Sequence, residues 1–172
     1  MKIKSSYEVR ARRFIEQFYG YICDCHSTGD FYDAVEAFNR AYHRKVYCSN
    51  GCTRIAFITS DYVIKIDMPD IYEDDKIFGT CEDEIEFYNY AKNCGYEYLF
   101  AKIELYKYNN MTFYIMPRIY GVGYKNGHAE DYLEDEEYDF VHNYCSDTHN
   151  ENFGFKNGHV VIIDYAASNR GD

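Results

Sequence analysis

The sequence predicts an α+β fold, and three observations carry that prediction. Apolar residues recur at helical spacing before residue 45. Short runs with strand character then alternate with turn signals, and one further helical pattern is inserted among them. A last helical stretch is followed by a small hairpin. Tyr7 to about Cys23 is expected to be a helix, because Phe14, Ile15, Phe18, Tyr19 and Ile22 form one stripe while Arg12, Arg13, Glu16 and Gln17 lie off it. Ser27-Thr28-Gly29-Asp30 breaks that helix, with Asp30 expected to cap the next. Phe31, Ala34, Val35, Phe38 and Tyr42 repeat at helical spacing, completing an N-terminal helical hairpin.

From Lys45 the pattern changes. Lys45 to Cys48 leads to a turn at Ser49-Asn50-Gly51, Arg54 to Ile58 is the next strand, and Tyr62 to Ile66 follows across Ser60-Asp61. A helix is expected from about Glu82 to Asn93. Phe100 to Tyr108 and Thr112 to Arg118 form a hairpin across Asn109-Asn110, a pair that tolerates positive φ. Residues 130 to 144 are expected to be helical. Asn152 to Phe155 and Val160 to Ile163 form the last hairpin, with Asn157-Gly158 at its tip.

The chain has 172 residues, enough for one domain or two small lobes, and 47% of them are apolar. Tyrosine is unusually common at 21, so much of the apolar content is ring with a polar tip, suited to half-buried surfaces. The formal charge of −11, with no basic patch visible along the chain, argues against nucleic acid as a partner. Such a surface suits a basic protein partner, or one that ordinarily binds DNA. The seven cysteines include Cys23-Asp24-Cys25 and Cys48 with Cys52, and neither spacing is that of a zinc site. Reduced thiols in a cytoplasmic protein are expected. Met1 to Arg13 is polar and charged, and no apolar run is long enough to suggest a membrane span.

A few polar residues stand in apolar surroundings. Lys65 lies between Ile64 and Ile66 on a strand and projects to the face opposite theirs. In the helix after it, Glu84 shares a face with Phe87, Tyr88 and Ala91, whereas Glu82 and Glu86 align with Asn89 and Asn93. Glu84 is therefore the inward carboxylate, an inward charge needs pairing, and Lys65 is the nearest cation in chain order. Glu86 takes that role if the helix is rotated. Near the end of the chain, Asp147 and Asn152 sit in a loop, and Asp164 ends the apolar run Val160 to Ile163. Carboxylate and amide oxygens are hard ligands, and Mg²⁺ keeps few protein ligands beside water and phosphate. Asn152 and Asp164 suit such an ion, which leaves Asp147 to accept a proton from a hydroxyl. Each residue also has a plain structural use: Lys65 on a solvated strand, Asp147 and Asn152 shaping a turn, Asp164 capping one.

Taken in order, these residues resemble the protein-kinase-like superfamily, which includes protein kinases and the aminoglycoside and choline phosphotransferases. Asp147 with Asn152 resembles the catalytic loop, and His149 gives it the form found in the small-molecule kinases. Ile163-Asp164-Tyr165-Ala166 resembles the metal-binding segment, Val63-Ile64-Lys65 the lysine strand, and Glu84 that lysine's partner. Gly51 sits where the phosphate-covering loop belongs, and Met116-Pro117-Arg118 where the hinge grips adenine. Cys145-Ser146 replaces the usual His-Arg, Tyr165-Ala166 replaces Phe-Gly, and the glycine loop keeps one glycine.

The resemblance implies a protein-kinase-like fold in three parts: an N-terminal helical hairpin (1–44), an antiparallel-sheet N-lobe with its αC-type helix (45–120), and a strongly reduced C-lobe (121–172). It implies ATP bound between the lobes under Gly51, with Lys65, Glu84, Met116 and Arg118 as nucleotide-binding residues. It implies Mg²⁺ on Asn152 and Asp164, Asp147 as the base, and Lys65 and His149 beside it in catalysis. The implied activity is transfer of the γ-phosphate to a hydroxyl of a protein or a small molecule. Eight residues follow Asp164 in the sequence, without a peptide-holding platform. The alternative is therefore a kinase-derived binding protein, a pseudokinase, that regulates a partner through an acidic, tyrosine-rich surface. The run Glu130 to Asp139, with seven carboxylates in ten residues, is either a solvated helix or that surface. So small a C-lobe needs cover, from the helical hairpin packing on the core or from a second chain, including a second copy. Small kinase-like chains also occur in phages; the expected location is the cytoplasm, that of the host if the chain is phage-encoded.

Overall fold

The computed structural model of the chain describes residues 6–51, 53–68, 79–120, 128–146 and 148–165. The architecture is α+β: an N-terminal helix pair, a five-stranded antiparallel sheet, two further helices and a separate two-stranded hairpin. The chain divides into two compact units. One comprises Met1–Ile77 with Glu104–Arg118, the other Phe78–Ile103 with Ile119–Asp172.

In the first unit, helix α1 spans Tyr7–Ile22 and buries Ala11, Phe14, Ile15, Phe18 and Ile22, while Tyr19 is half-buried. Helix α2 spans Thr28–Tyr42. Its cap is Ser27 rather than Asp30, because the two form a reciprocal box. The Asp30 backbone N–H donates to the Ser27 hydroxyl, and the Asp30 carboxylate reaches back to the Ser27 N–H at 2.9 Å. Strand β1 spans Tyr47–Asn50, so the turn expected from Ser49 begins two residues later, at Gly51. Ser49 and Asn50 pair with Ala56 and Ile55, and the Gly51 N–H closes the hairpin on the Arg54 carbonyl. Strand β2 spans Arg54–Ile58, β3 Tyr62–Asp67, β4 Glu104–Tyr108 and β5 Met111–Pro117, in the sheet order β1-β2-β3-β5-β4. The β4–β5 turn places Asn109 at φ 51°, as its residue type allows.

The helix pair covers one face of this sheet. Ile55 and Phe57 of β2, Tyr62, Ile64 and Ile66 of β3, and Phe113 and Ile115 of β5 share a core with the apolar stripes of α1 and α2. Phe18 is central to it, with Phe38 at 5.0 Å and Phe57 at 4.9 Å, both edge-on.

In the second unit, helix α3 spans Cys81–Asn93, capped by Thr80 and Asp83 in another reciprocal box. Phe100 to Ile103 is not the start of β4. Phe100 makes a parallel bridge to Ile162, and the Ala101 N–H donates to the Ile162 carbonyl at 2.8 Å. Pairing with a segment some sixty residues away thus separates these residues from the strand their composition joins them to. The stretch 130–144 is likewise two pieces, a helical turn at Ala129–Tyr132 and helix α4 at Asp135–Tyr144, because Leu133 and Glu134 are extended and Glu134 begins a new cap. Strands β6 (Phe153–Lys156) and β7 (His159–Ile162) form the last hairpin, turning on Asn157 at φ 54° and Gly158 at φ 84°. Phe87 of α3 packs against Phe100 at 5.1 Å and against Tyr165, and Phe140 of α4 stacks on Tyr96. The six described cysteines are free, and among the described residues no helix is long and apolar enough to cross a membrane.

Candidate functional site

The β6–β7 hairpin organises the second unit's polar residues. Its tip is the Asn157-Gly158 turn, and its open end carries Asn152 just before β6 and Asp164 two residues after β7. The Ile163 N–H donates to the Asn152 carbonyl at 2.8 Å, extending the ladder by one pair beyond Phe153 and Ile162. Residues far apart in the loop sequence are thereby brought to one end of one hairpin. Both are half-buried. An amide oxygen and a carboxylate held this way fit the hard-oxygen preference of Mg²⁺. Among the described residues there is no group of three or more His, Cys, Asp or Glu side chains able to hold a metal. An ion on Asn152 and Asp164 would take its remaining ligands from water and phosphate.

Tyr165, directly after Asp164, is anchored firmly. Tyr165 is 1% exposed, its hydroxyl donates to the Ala101 carbonyl at 2.6 Å, and its backbone N–H donates to Glu84 Oε1 at 3.4 Å. Burial, and secondarily the Glu84 carboxylate, hold the Tyr165 hydroxyl well above its ordinary pKa. Glu84 is fully buried on the face of α3 that carries Cys81, Phe87 and Ala91, while Glu86 is exposed. Its place in the first turn of α3 sets its carboxyl group at the positive end of the helix dipole. Sequence reasoning noticed Tyr165 only as a departure from a motif. The one signal available was an aromatic residue directly after the carboxylate that ends the apolar run Val160 to Ile163.

Asp147 lies outside the described residues. His149 is exposed, and its carbonyl accepts the Asn152 N–H at 2.8 Å, which forms the turn Asn150–Asn152. Cys145, in place of the expected basic pair, is buried, and burial pushes its thiol up to about 12.

The first unit holds the other expected residues. Lys65 stands in register with Ala56 and Tyr114, on the sheet face opposite the helix pair, and is only 7% exposed. Met116 pairs with Val63, so it shares that face, and it is buried. Gly51 is exposed at the β1–β2 turn. Arg118 serves the β2–β3 turn: its guanidinium donates to the Thr59 carbonyl at 2.6 Å and its N–H to the Asp61 carbonyl at 3.0 Å. The structure thus gathers Gly51, Lys65, Met116 and Arg118 in one unit and Glu84, His149, Asn152 and Asp164 in the other. The sequence matches no protein-family model and no curated protein.

Proposed function

We propose that the chain is an ATP- and Mg²⁺-dependent phosphotransferase of the protein-kinase-like superfamily. The observation that carries this reading is the convergence of Asn152 and Asp164 at the open end of the β6–β7 hairpin, through the 2.8 Å bond from Ile163. A buried lysine on the third strand of an antiparallel sheet, and a helix that buries one glutamate after it, support it further.

In this reading Lys65 neutralises and orients the α- and β-phosphates. Met116 lends an apolar wall to the base and Gly51 leaves room for the phosphates. Asn152 and Asp164 would hold Mg²⁺, which would supply neutralisation of the phosphate charge. Tyr165 and Glu84 keep the Asp164 segment in place. Asp147 accepts the proton of the acceptor hydroxyl as its oxygen bonds to the γ-phosphorus. The bond from that phosphorus to the bridging oxygen breaks, and ADP departs with the electron pair. Catalysis of this kind is chiefly placement and electrostatics.

A thermal-shift titration tests the nucleotide site. ATP with Mg²⁺ is expected to stabilise the protein by about 2.7 kcal/mol at a hundredfold excess over Kd, and Asp164→Asn or Lys65→Ala is expected to abolish the metal-dependent part. Transfer of labelled γ-phosphate, lost in Asp147→Asn, tests turnover.

One observation favours a second reading, a catalytically silent binding protein for a basic partner. Tyr132 and Tyr138 are 57% and 42% exposed within the acidic run around α4, so aromatic area and negative charge occupy one surface. Metal-independent thermal behaviour together with no phosphate transfer would select this reading.

A further inference from the structure

Along a chain of net charge −11 the cations are scattered, but the first unit gathers four of them around one cavity of about 460 Å³. Arg10 and Arg13 lie one helical turn apart on α1, and Arg44 and Lys45 lie in the connection from α2 to β1. The β2–β3 turn completes the lining, and its Asp61 is the acidic member, joined to Arg10 at 3.0 Å. Among the described residues, no carboxylate lies within ion-pair distance of Arg13, Arg44 or Lys45. The lining is therefore locally cationic on a strongly acidic protein, a positive field that draws small anions to the cavity. The cavity also has apolar walls. Phe14, Val46 and Tyr62 are buried there, the Phe14 and Tyr62 rings lying 6.0 Å apart.

Cationic side chains around aromatic and aliphatic walls define an amphipathic ligand: a flat or apolar body with a multiply charged end. Guanidinium forks match phosphate oxygens in pairs, and a phosphate monoester carries more charge than a carboxylate. The volume suits a compact metabolite. We propose that this cavity binds a small organic phosphate, with Arg13, Arg44 and Lys45 on the phosphate and Arg10 steadied by Asp61. The lining does not include Lys65, which stands on the sheet face opposite the helix pair, or Asn152 and Asp164; Arg118 only braces the β2–β3 turn that borders the cavity. Its binding is therefore independent of Mg²⁺ and of Lys65 and Asp164.

The probe is phenyl phosphate, titrated with chelator present into isotope-labelled protein and followed by amide chemical shifts. Saturable shifts are expected at residues 10–17, 44–46 and 59–62. The Arg13→Glu, Arg44→Glu double variant is expected to weaken binding by roughly tenfold or more. Both positions are exposed, and Lys45→Ala, expected to weaken binding severalfold, serves if the double variant does not fold. Lys65→Ala is expected to bind as the parent does. Absence of saturable shifts at millimolar probe overturns the proposal, as does equal affinity in the folded cation variants. Equally tight binding of benzyl alcohol, which has the ring without the charge, overturns it too. Loss of the Mg²⁺-dependent ATP response with phenyl phosphate binding intact removes the phosphotransferase reading and leaves this one standing.

Discussion

Replacing Tyr165 with phenylalanine removes one hydroxyl and keeps the ring, so it isolates the bond that ties Tyr165 to the Ala101 carbonyl. The ring contacts survive: Phe100 lies at 5.2 Å and Phe87 at 5.9 Å from the Tyr165 centroid. What is lost is the 2.6 Å donation to the Ala101 carbonyl, and Ala101 is itself buried, so water does not replace the donor. An acceptor stranded in this way costs about 1–3 kcal/mol. With a urea dependence of about 2 kcal/mol per molar, the unfolding midpoint is expected to fall by about 1 M. The pH dependence adds a second readout. Burial, then Glu84, raise the folded-state pKa of Tyr165 above its unfolded value of 10.0. The stability this contributes is fully present below pH 10 and is lost as the pH rises through the higher folded value. The gap between parent and Tyr165→Phe should therefore change little from neutrality to pH 9 and move above pH 10, where only the parent carries this titration. Urea unfolding followed by circular dichroism across that range makes the measurement. Equal midpoints at neutral pH, or a gap unchanged at alkaline pH, would refute the placement of the hydroxyl.

Three further outcomes follow from the geometry. Gly154→Ala places a Cβ 2.5 Å from Ile119 Cγ2 and 3.1 Å from the Tyr120 carbonyl, so a loss of about 1–3 kcal/mol in urea unfolding is expected, whereas Gly20→Ala on α1, with nothing within 4 Å, is expected to gain about 0.5–1 kcal/mol. Ser27→Ala and Thr80→Ala each remove the cap of a reciprocal box, and each is expected to lower stability by about 1 kcal/mol in the same assay. Alkylation at pH 8, read by peptide mass spectrometry, is expected to modify exposed Cys94 well before Cys145, whose buried thiol is pushed up to about 12.

Features whose causes lie within a few residues were legible in the sequence. The stripes of α1 and α2, the Asn109 and Asn157-Gly158 turns, and the inward aspect of Glu84 all appear where local periodicity and turn chemistry place them. Helical repeat, positive φ and side-chain alternation are properties of short chain segments, and burial only selects among them. Asp30 marks the limit of that reading: its type announces a helix start, but whether it caps or reaches back depends on which neighbour takes the cap position.

Other features have causes that are distant in the chain. Phe100 and Ala101 leave the strand they would join because Ile162 offers them a bridge and a hydrogen bond. Tyr165 becomes an anchor only because Ala101 and Glu84, from two other segments, meet its two ends. The approach of Asn152 to Asp164 needs the β6–β7 register, which turn chemistry and strand pairing decide jointly. The cationic cavity is the plainest case. No run of basic residues foretells it, and it exists because α1, the α2–β1 connection and the β2–β3 turn are folded against one another. Charge is additive along a sequence but acts through distance, and distance between remote residues is decided by tertiary packing alone.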